Sequence, residues 1–219
     1  MTVEKQTRDP EQTKLRILAA AKVEFAQKGL GGARVDVIAT RAKVQKRMMY
    51  HYFGNKEALF AHVIEAVYSD FRDAEAALEI EKQEPIAALQ KLVAFTWNYY
   101  VDNPELITLV NSENLHKAQH IKNSQALQKL NRRFVDRMRM LLERGATAGI
   151  FRSGLDPVQV LITLSGGGFH YLTNHHTGEI VYGRKLMTRQ AQAARLQFNT
   201  ETILRLVCTA EQLLKMEGT

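Results

Sequence analysis

The sequence predicts an all-α chain in two parts: a small three-helix domain with a helix-turn-helix over residues 10–56, and a larger helical domain over residues 57–219. Three observations predict it. Apolar residues recur at spacings of three and four through most of the length, the period of an amphipathic helix. Prolines follow acidic or amide residues at Asp9-Pro10, Glu84-Pro85, Asn103-Pro104 and Asp156-Pro157, the order of a cap followed by a first helical residue. No run alternates apolar and polar residues as a half-buried strand does.

Each element follows from local chemistry. After Asp9-Pro10, the stripe Ile17, Leu18, Ala21 and Phe25 makes a first helix that ends at Lys28-Gly29, with Gly31-Gly32 as the connection. Val35, Ile38, Ala39 and Ala42 form a short second helix whose apolar face needs the first to pack on. The third runs from about Gln45 to Tyr52. Gly54-Asn55 breaks the chain, and Asn55 can cap a fourth helix carrying Leu59, Phe60, Val63, Ile64, Val67 and Phe71. Further helices are expected over 85–102, 104–121 with a break near 111, 124–148 capped by Ser124, 157–175 and 200–216. Residues 175–199, polar and holding Gly178 and Gly183, are expected to form a loop with a short helical piece near 189–195.

The 219 residues carry a formal net charge of +7, and its placement is uneven. Residues 1–60 hold 12 Lys/Arg against 6 Asp/Glu, so nearly all the excess lies in the N-terminal part, as in an anion-seeking module. No apolar run approaches the roughly 20 residues of a membrane helix, and the polar start is no signal peptide, so a cytoplasmic location without a membrane partner is expected. The single cysteine, Cys208, lies in an apolar stretch and is read as a small hydrophobe without a redox role.

Thr13-Lys14-Leu15-Arg16-Ile17-Leu18-Ala19-Ala20-Ala21, Phe25-Ala26-Gln27-Lys28-Gly29, Ile38-Ala39, Ala42-Lys43-Val44 and Tyr50-His51-Tyr52-Phe53-Gly54-Asn55-Lys56-Glu57-Ala58-Leu59-Phe60 resemble the DNA-binding domain of the TetR family of transcriptional regulators. The similarity covers about 50 residues in fixed order. It implies a homodimer with an all-helical ligand-binding and dimerisation domain behind the DNA reader. Asn103-Pro104-Glu105-Leu106, Ser112-Glu113-Asn114-Leu115-His116, Gly149-Ile150-Phe151-Arg152, Asp156-Pro157 and Asn174-His175-His176-Thr177 look like a subgroup of the same family.

In such a reader the third helix enters the major groove and the second braces against the backbone. Gln45, Lys46 and Arg47 occupy the leading turn: Lys and Arg can donate to guanine, and Gln can bond adenine twice, so these three are expected to read bases, with Met48 touching a thymine methyl. Met49 falls where the family places a core leucine. Tyr50 and His51 match phosphate-contacting positions, while Tyr52 and Phe53 are read as packing. Lys56 stands at a helix N-terminus that already favours phosphate. Two departures from the family pattern stand out. Lys43 replaces the turn glycine, where a left-handed backbone would cost it on the order of 1 kcal/mol. Ala33-Arg34 replaces the usual hydroxyl cap of the second helix. Arg34 and Lys43 are therefore expected at phosphates, and binding is expected to depend steeply on salt. The arm with Lys5, Arg8 and Lys14 reads first as a tail and second as a minor-groove strap.

No phosphate-cradling glycine loop, nucleophile elbow or paired cysteines suggest catalysis, so no enzyme, cofactor or metal is expected. Glu113, His116 and His120 share a helical face and could hold a metal, though structural histidines are commoner. A pocket is expected among Phe95, Trp97, Asn98, Tyr99, Glu113, His116, Phe134 and Met138. Ser165-Gly166-Gly167-Gly168 inside an apparent helix calls for close approach of a partner helix, or second of a ligand. The expected dimer interface is Val160, Leu161, Leu164, Gly167, Gly168, Tyr171, Leu204 and Val207. The resulting expectation is a repressor reading a near-palindromic double-stranded operator and released by a small-molecule effector. The alternatives are a constitutive DNA-binding protein and a helical metal-dependent enzyme.

Overall fold

The computed structural model describes residues 9–217, so Lys5 and Arg8 of the arm lie outside the described residues. Eleven α-helices and one 3-10 turn, Ile80–Lys82, occupy the described chain: α1 Pro10–Gly32, α2 Val35–Ala42, α3 Lys46–Phe53, α4 Lys56–Ala76, α5 Pro85–Asp102, α6 Pro104–Leu115, α7 Gln125–Thr147, α8 Pro157–Thr173, α9 His175–Val181, α10 Arg189–Val207 and α11 Ala210–Glu217. The only strand-like pairing among the described residues is a single bridge between Phe151 and Cys208. Two compact units result, residues 1–68 with 108–124, and residues 69–107 with 125–219. The division falls inside α4 and groups 108–124 with the first unit.

In the first unit Ile17, Ala21 and Phe25 of α1 meet Ile38 of α2, Met49 of α3 and Leu59, Phe60, Val63 and Ile64 of α4, all buried. Phe25 and Phe60 pack edge to face at 5.1 Å, each ring contributing about 2 kcal/mol of burial. Predicted caps form: the Asp9 carboxylate accepts from Glu11 N–H at 2.9 Å, and Asn55 Oδ1 accepts from Ala58 N–H at 2.7 Å. Gly29 at φ 64° kinks α1 where the sequence ends it.

In the second unit α5 packs on α7, α8 and α10. Leu89 and Leu92 of α5, Met138 and Leu141 of α7, Leu164 of α8, and Ile203 and Val207 of α10 share its core. Gly145 exists to admit Phe151, because a Cβ there would overlap the Phe151 ring. The expected loop at 175–199 is corrected: α9 and the long α10 fill most of it. Thr188 Oγ1 caps α10 through Ala191 N–H at 3.2 Å, and Arg-Gln-Ala-Gln-Ala-Ala-Arg-Leu are strong helix formers despite a sparse apolar stripe. The expected single helix over 200–216 is broken at Cys208, whose extended backbone sits between Arg152 N–H to Val207 O and Thr209 N–H to Ile150 O bonds.

Candidate nucleic-acid interface and effector cavity

The reader is set by the turn between α2 and α3. Lys43 sits at φ 55°, ψ 45°, the left-handed conformation that favours glycine. Its N–H donates to Thr40 O at 3.1 Å and Val44 N–H donates to Ala39 O at 3.0 Å, which closes the end of α2. Gln45 then stands in extended conformation as the N-cap, and α3 starts at Lys46. Gln45, Lys46, Arg47, Tyr50 and His51 are exposed, Met48 is half-buried, and Met49 joins the core.

Electrostatics refine this surface. Lys46 Nζ lies 2.8 Å from Asp36 Oδ1, an exposed pair joining α2 to α3. The hydrogen bond and opposite charge raise the Lys46 pKa and lower that of Asp36, so both stay charged. Sequence reasoning missed Asp36; its place in the first turn of α2 was the available signal. Arg34 is exposed and gives no side-chain cap to α2. The buried Glu24 fixes that start instead, accepting from Arg34 N–H at 3.2 Å. Lys56 is half-buried and its Nζ donates to Ala33 O at 3.4 Å, so it braces the end of α1. Lys14 of the arm pairs with Glu11 at 2.8 Å.

Glu113, His116 and His120 serve the fold. Glu113 Oε1 accepts from His120 N–H at 2.9 Å, its Oε2 lies 2.6 Å from His120 Nδ1, and both side chains are buried. The pair closes a turn in which Lys117 and Ala118 take φ of 56° and 55°, and His120 packs edge-on to Phe60 at 5.3 Å. Among the described residues no group of three His, Cys, Asp or Glu is placed to hold a metal.

The residues expected to line a pocket do not converge on one cavity, although Phe134 lines a cleft with Arg72, Asn131 and Ile162. Phe95 stacks on Phe71 at 5.7 Å, with Tyr99 tilted 4.9 Å from the same Phe71 ring. Trp97 and Met138 are core, Asn98 is exposed, and Phe134 lies under the Arg72 guanidinium at 3.6 Å. Glu113 is bound to His120, and His116 packs edge-to-face against the same His120 ring at 5.4 Å. A cavity of about 550 Å³ lies elsewhere, lined by His170, Tyr171 and Asn174 at the end of α8, Thr177, Gly178 and Val181 of α9, Tyr182, Arg184 and Leu186 of the following loop, and Arg195 of α10.

The expected interface residues also take other roles. Val160, Leu161, Leu164, Leu204 and Val207 are buried in the chain's own core, because α8 packs on α5 and α7 and α10 packs on α5 and α8. The glycines answer to neighbours within the chain: a Cβ on Gly167 would stand 2.9 Å from Asn199 Oδ1, and one on Gly168 would stand 3.4 Å from the Tyr100 ring. Tyr171 lines the cavity, while Val158, Ile162 and Phe198 stay exposed on α8 and α10.

Residues 17–63 match the family described as "Bacterial regulatory proteins, tetR family", and residues 85–203 match "Tetracyclin repressor-like, C-terminal domain". The HTH-type transcriptional repressor NicS of Pseudomonas putida is 37% identical over 195 residues, 89% of this chain and 92% of that protein. Among solved structures, the fatty acid degradation regulator FadR of Bacillus halodurans superposes with a TM-score of 0.68 at 20% identity, covering 91% of this chain and 97% of that one. FadR of Bacillus subtilis, in complex with stearoyl-CoA, gives 0.64 at 16% identity, covering 87% and 97%. At these identities the two structures speak for the fold.

Proposed function

The chain belongs to the TetR family of transcriptional regulators, and from that premise we propose that it acts as a homodimeric repressor of a near-palindromic operator, released by a small-molecule effector. The observation that carries the reading is the basic leading turn of α3, with Gln45, Lys46 and Arg47 exposed together beyond the left-handed Lys43. In this reading Gln45 and Arg47 meet base edges, and Lys46 chooses between Asp36 and a base. Met48 adds an apolar contact, and Arg34, Lys43, Tyr50 and His51 hold phosphates. Lys56 acts through its brace on Ala33.

Two protomers would place two α3 helices in successive major grooves, about one helical turn apart, so a change of a few ångströms in their spacing pulls one reader out of register. A ligand that binds one spacing better than the other shifts the population. The cavity beside α8, α9 and α10 supports an effector here.

Selection of bound sequences from random duplexes tests the reading. The wild-type protein is expected to enrich an inverted repeat, and Gln45→Ala, Lys46→Ala and Arg47→Ala are each expected to lose preference at matching positions in both halves. Enrichment of no sequence, or unchanged preference in all three variants, would refute it.

A further inference from the structure

We infer that the cavity between α8, α9 and α10 binds a small organic carboxylate carried on a planar, apolar body, with Arg195 and Arg184 taking the charge. This deepens the regulatory reading by naming the class of effector. The binding claim stands on the cavity alone, whereas its regulatory consequence rests on that reading.

Charge comes first. Arg184 and Arg195 line the space, and no aspartate or glutamate does. The acidic neighbour, Glu179 of α9, is engaged by Lys185 Nζ at 3.0 Å and by Leu186 N–H at 2.9 Å. Arg195 itself is held but uncompensated. Its Nη2 donates to Gly167 O at 3.0 Å, and its guanidinium stands 5.3 Å from the Tyr171 ring and 5.4 Å from the Phe198 ring. Its Nε is buried without a hydrogen-bond partner, and no carboxylate of the described residues pairs with it. Burial accordingly lowers its pKa. A half-buried guanidinium with one N–H left unpartnered and no carboxylate beside it is a ready partner for an incoming anion. Its planar fork suits a carboxylate, which two parallel N–H donors can grip.

Shape sets the rest of the ligand. A volume of about 550 Å³ exceeds what an inorganic anion fills and falls within the usual range for small-molecule sites. Val181 and Leu186 supply apolar wall, and Tyr171 and Tyr182 supply ring faces for a flat body. The wall is preformed: Tyr171 Oη donates to Leu186 O at 2.7 Å. Gly178 lets the loop close, since a Cβ there would stand 2.9 Å from Leu186 Cδ1.

Titration calorimetry on the full-length protein without DNA tests the site, with benzoate, benzamide and inorganic phosphate as probes. Benzoate is expected to bind at least tenfold more tightly than either of the others. Arg195→Gln is expected to weaken benzoate at least tenfold. Arg184→Gln, at an exposed side chain, is expected to weaken it severalfold with an unchanged melting temperature. No heat with benzoate, equal binding of benzamide, or wild-type affinity in both variants overturns the inference. Operator release is then measured separately. Benzoate that binds without releasing DNA leaves the site standing and removes its regulatory role, whereas failure to bind any duplex strikes the regulatory reading alone.

Discussion

Lys43 carries strain that a phosphate contact would repay. A non-glycine residue at φ 55° costs about 1 kcal/mol, yet the Lys43 side chain is exposed at the mouth of the reader, where a phosphate would be. Glycine there would remove the strain but loosen the unfolded chain, so Lys43→Gly is expected to stabilise by only about 0.5 kcal/mol. The same change is expected to weaken operator binding and to flatten its salt dependence, by about 0.9 in log–log slope for each phosphate left without its cation. Thermal melts and binding titrations across salt check both signs; a steeper slope in the variant would contradict the assignment. A second residue makes the opposite bargain. Glu75 is buried, 3.1 Å from Arg137, and burial raises its pKa against the pull of Arg137 and Arg72. A carboxyl with a raised folded pKa gives stability that is full at low pH and is lost as pH rises through that pKa. Glu75→Gln is expected to flatten the stability profile above the ordinary carboxylate range. Arg137→Leu, which strands the charge, is expected to cost about 3 kcal/mol at neutral pH. Denaturant titrations from pH 4 to 8 compare the two, and equal effects would count against the burial account.

At the scale of elements, the pairing of α2 with α3 makes a testable trade. Asp36 holds Lys46 at 2.8 Å, which orients the ammonium but sets a negative charge near the duplex. Asp36→Asn is expected to raise affinity for random duplexes severalfold while narrowing the gap to the selected operator, since positioning is lost as repulsion is relieved. Anisotropy titrations on both duplexes read this out; a wider gap would show that Asp36 opposes reading. The same elements show what a sequence displays. α2, α3 and α5 were legible because an apolar stripe, a proline or a turn residue marks each boundary, and Met49 was legible as core from the family position that it matches. The Asp36–Lys46 and Glu24–Arg34 pairings were not, because partners ten residues apart across a turn leave no local period. α10 was hidden by polarity: its first turns face solvent and the cavity, so propensity alone speaks there. The cavity itself was illegible, since its lining comes from α8, α9, a loop and α10, and the aromatic residues of α5 that attracted notice pack on one another.

For the whole molecule the proposed dimer raises the question of which surface two copies would share. Val160, Leu164, Leu204 and Val207 are spent on the chain's own core, so a second copy needs other surface. Val158, Ile162 and Gly166 recur at a spacing of four on α8, the first two 42% and 58% exposed, with open space where a Gly166 Cβ would be. Phe198 of α10 is 59% exposed. Large apolar side chains left in water on two neighbouring helices fit a face that a partner covers, and a stable dimer needs about 800 Å² from each copy. Ile162→Glu with Phe198→Glu is therefore expected to give a folded monomer, because both sites lie outside the core. Leu164→Glu, by contrast, is expected to unfold the chain by burying a lone charge. Operator affinity of the double variant is expected to fall at least 100-fold on a full palindrome, because one reader then binds without the other's proximity. On an isolated half-site it is expected to match the wild type. Sedimentation velocity with matched titrations on full and half operators checks the three expectations together; a double variant that remains dimeric would move the interface to another face.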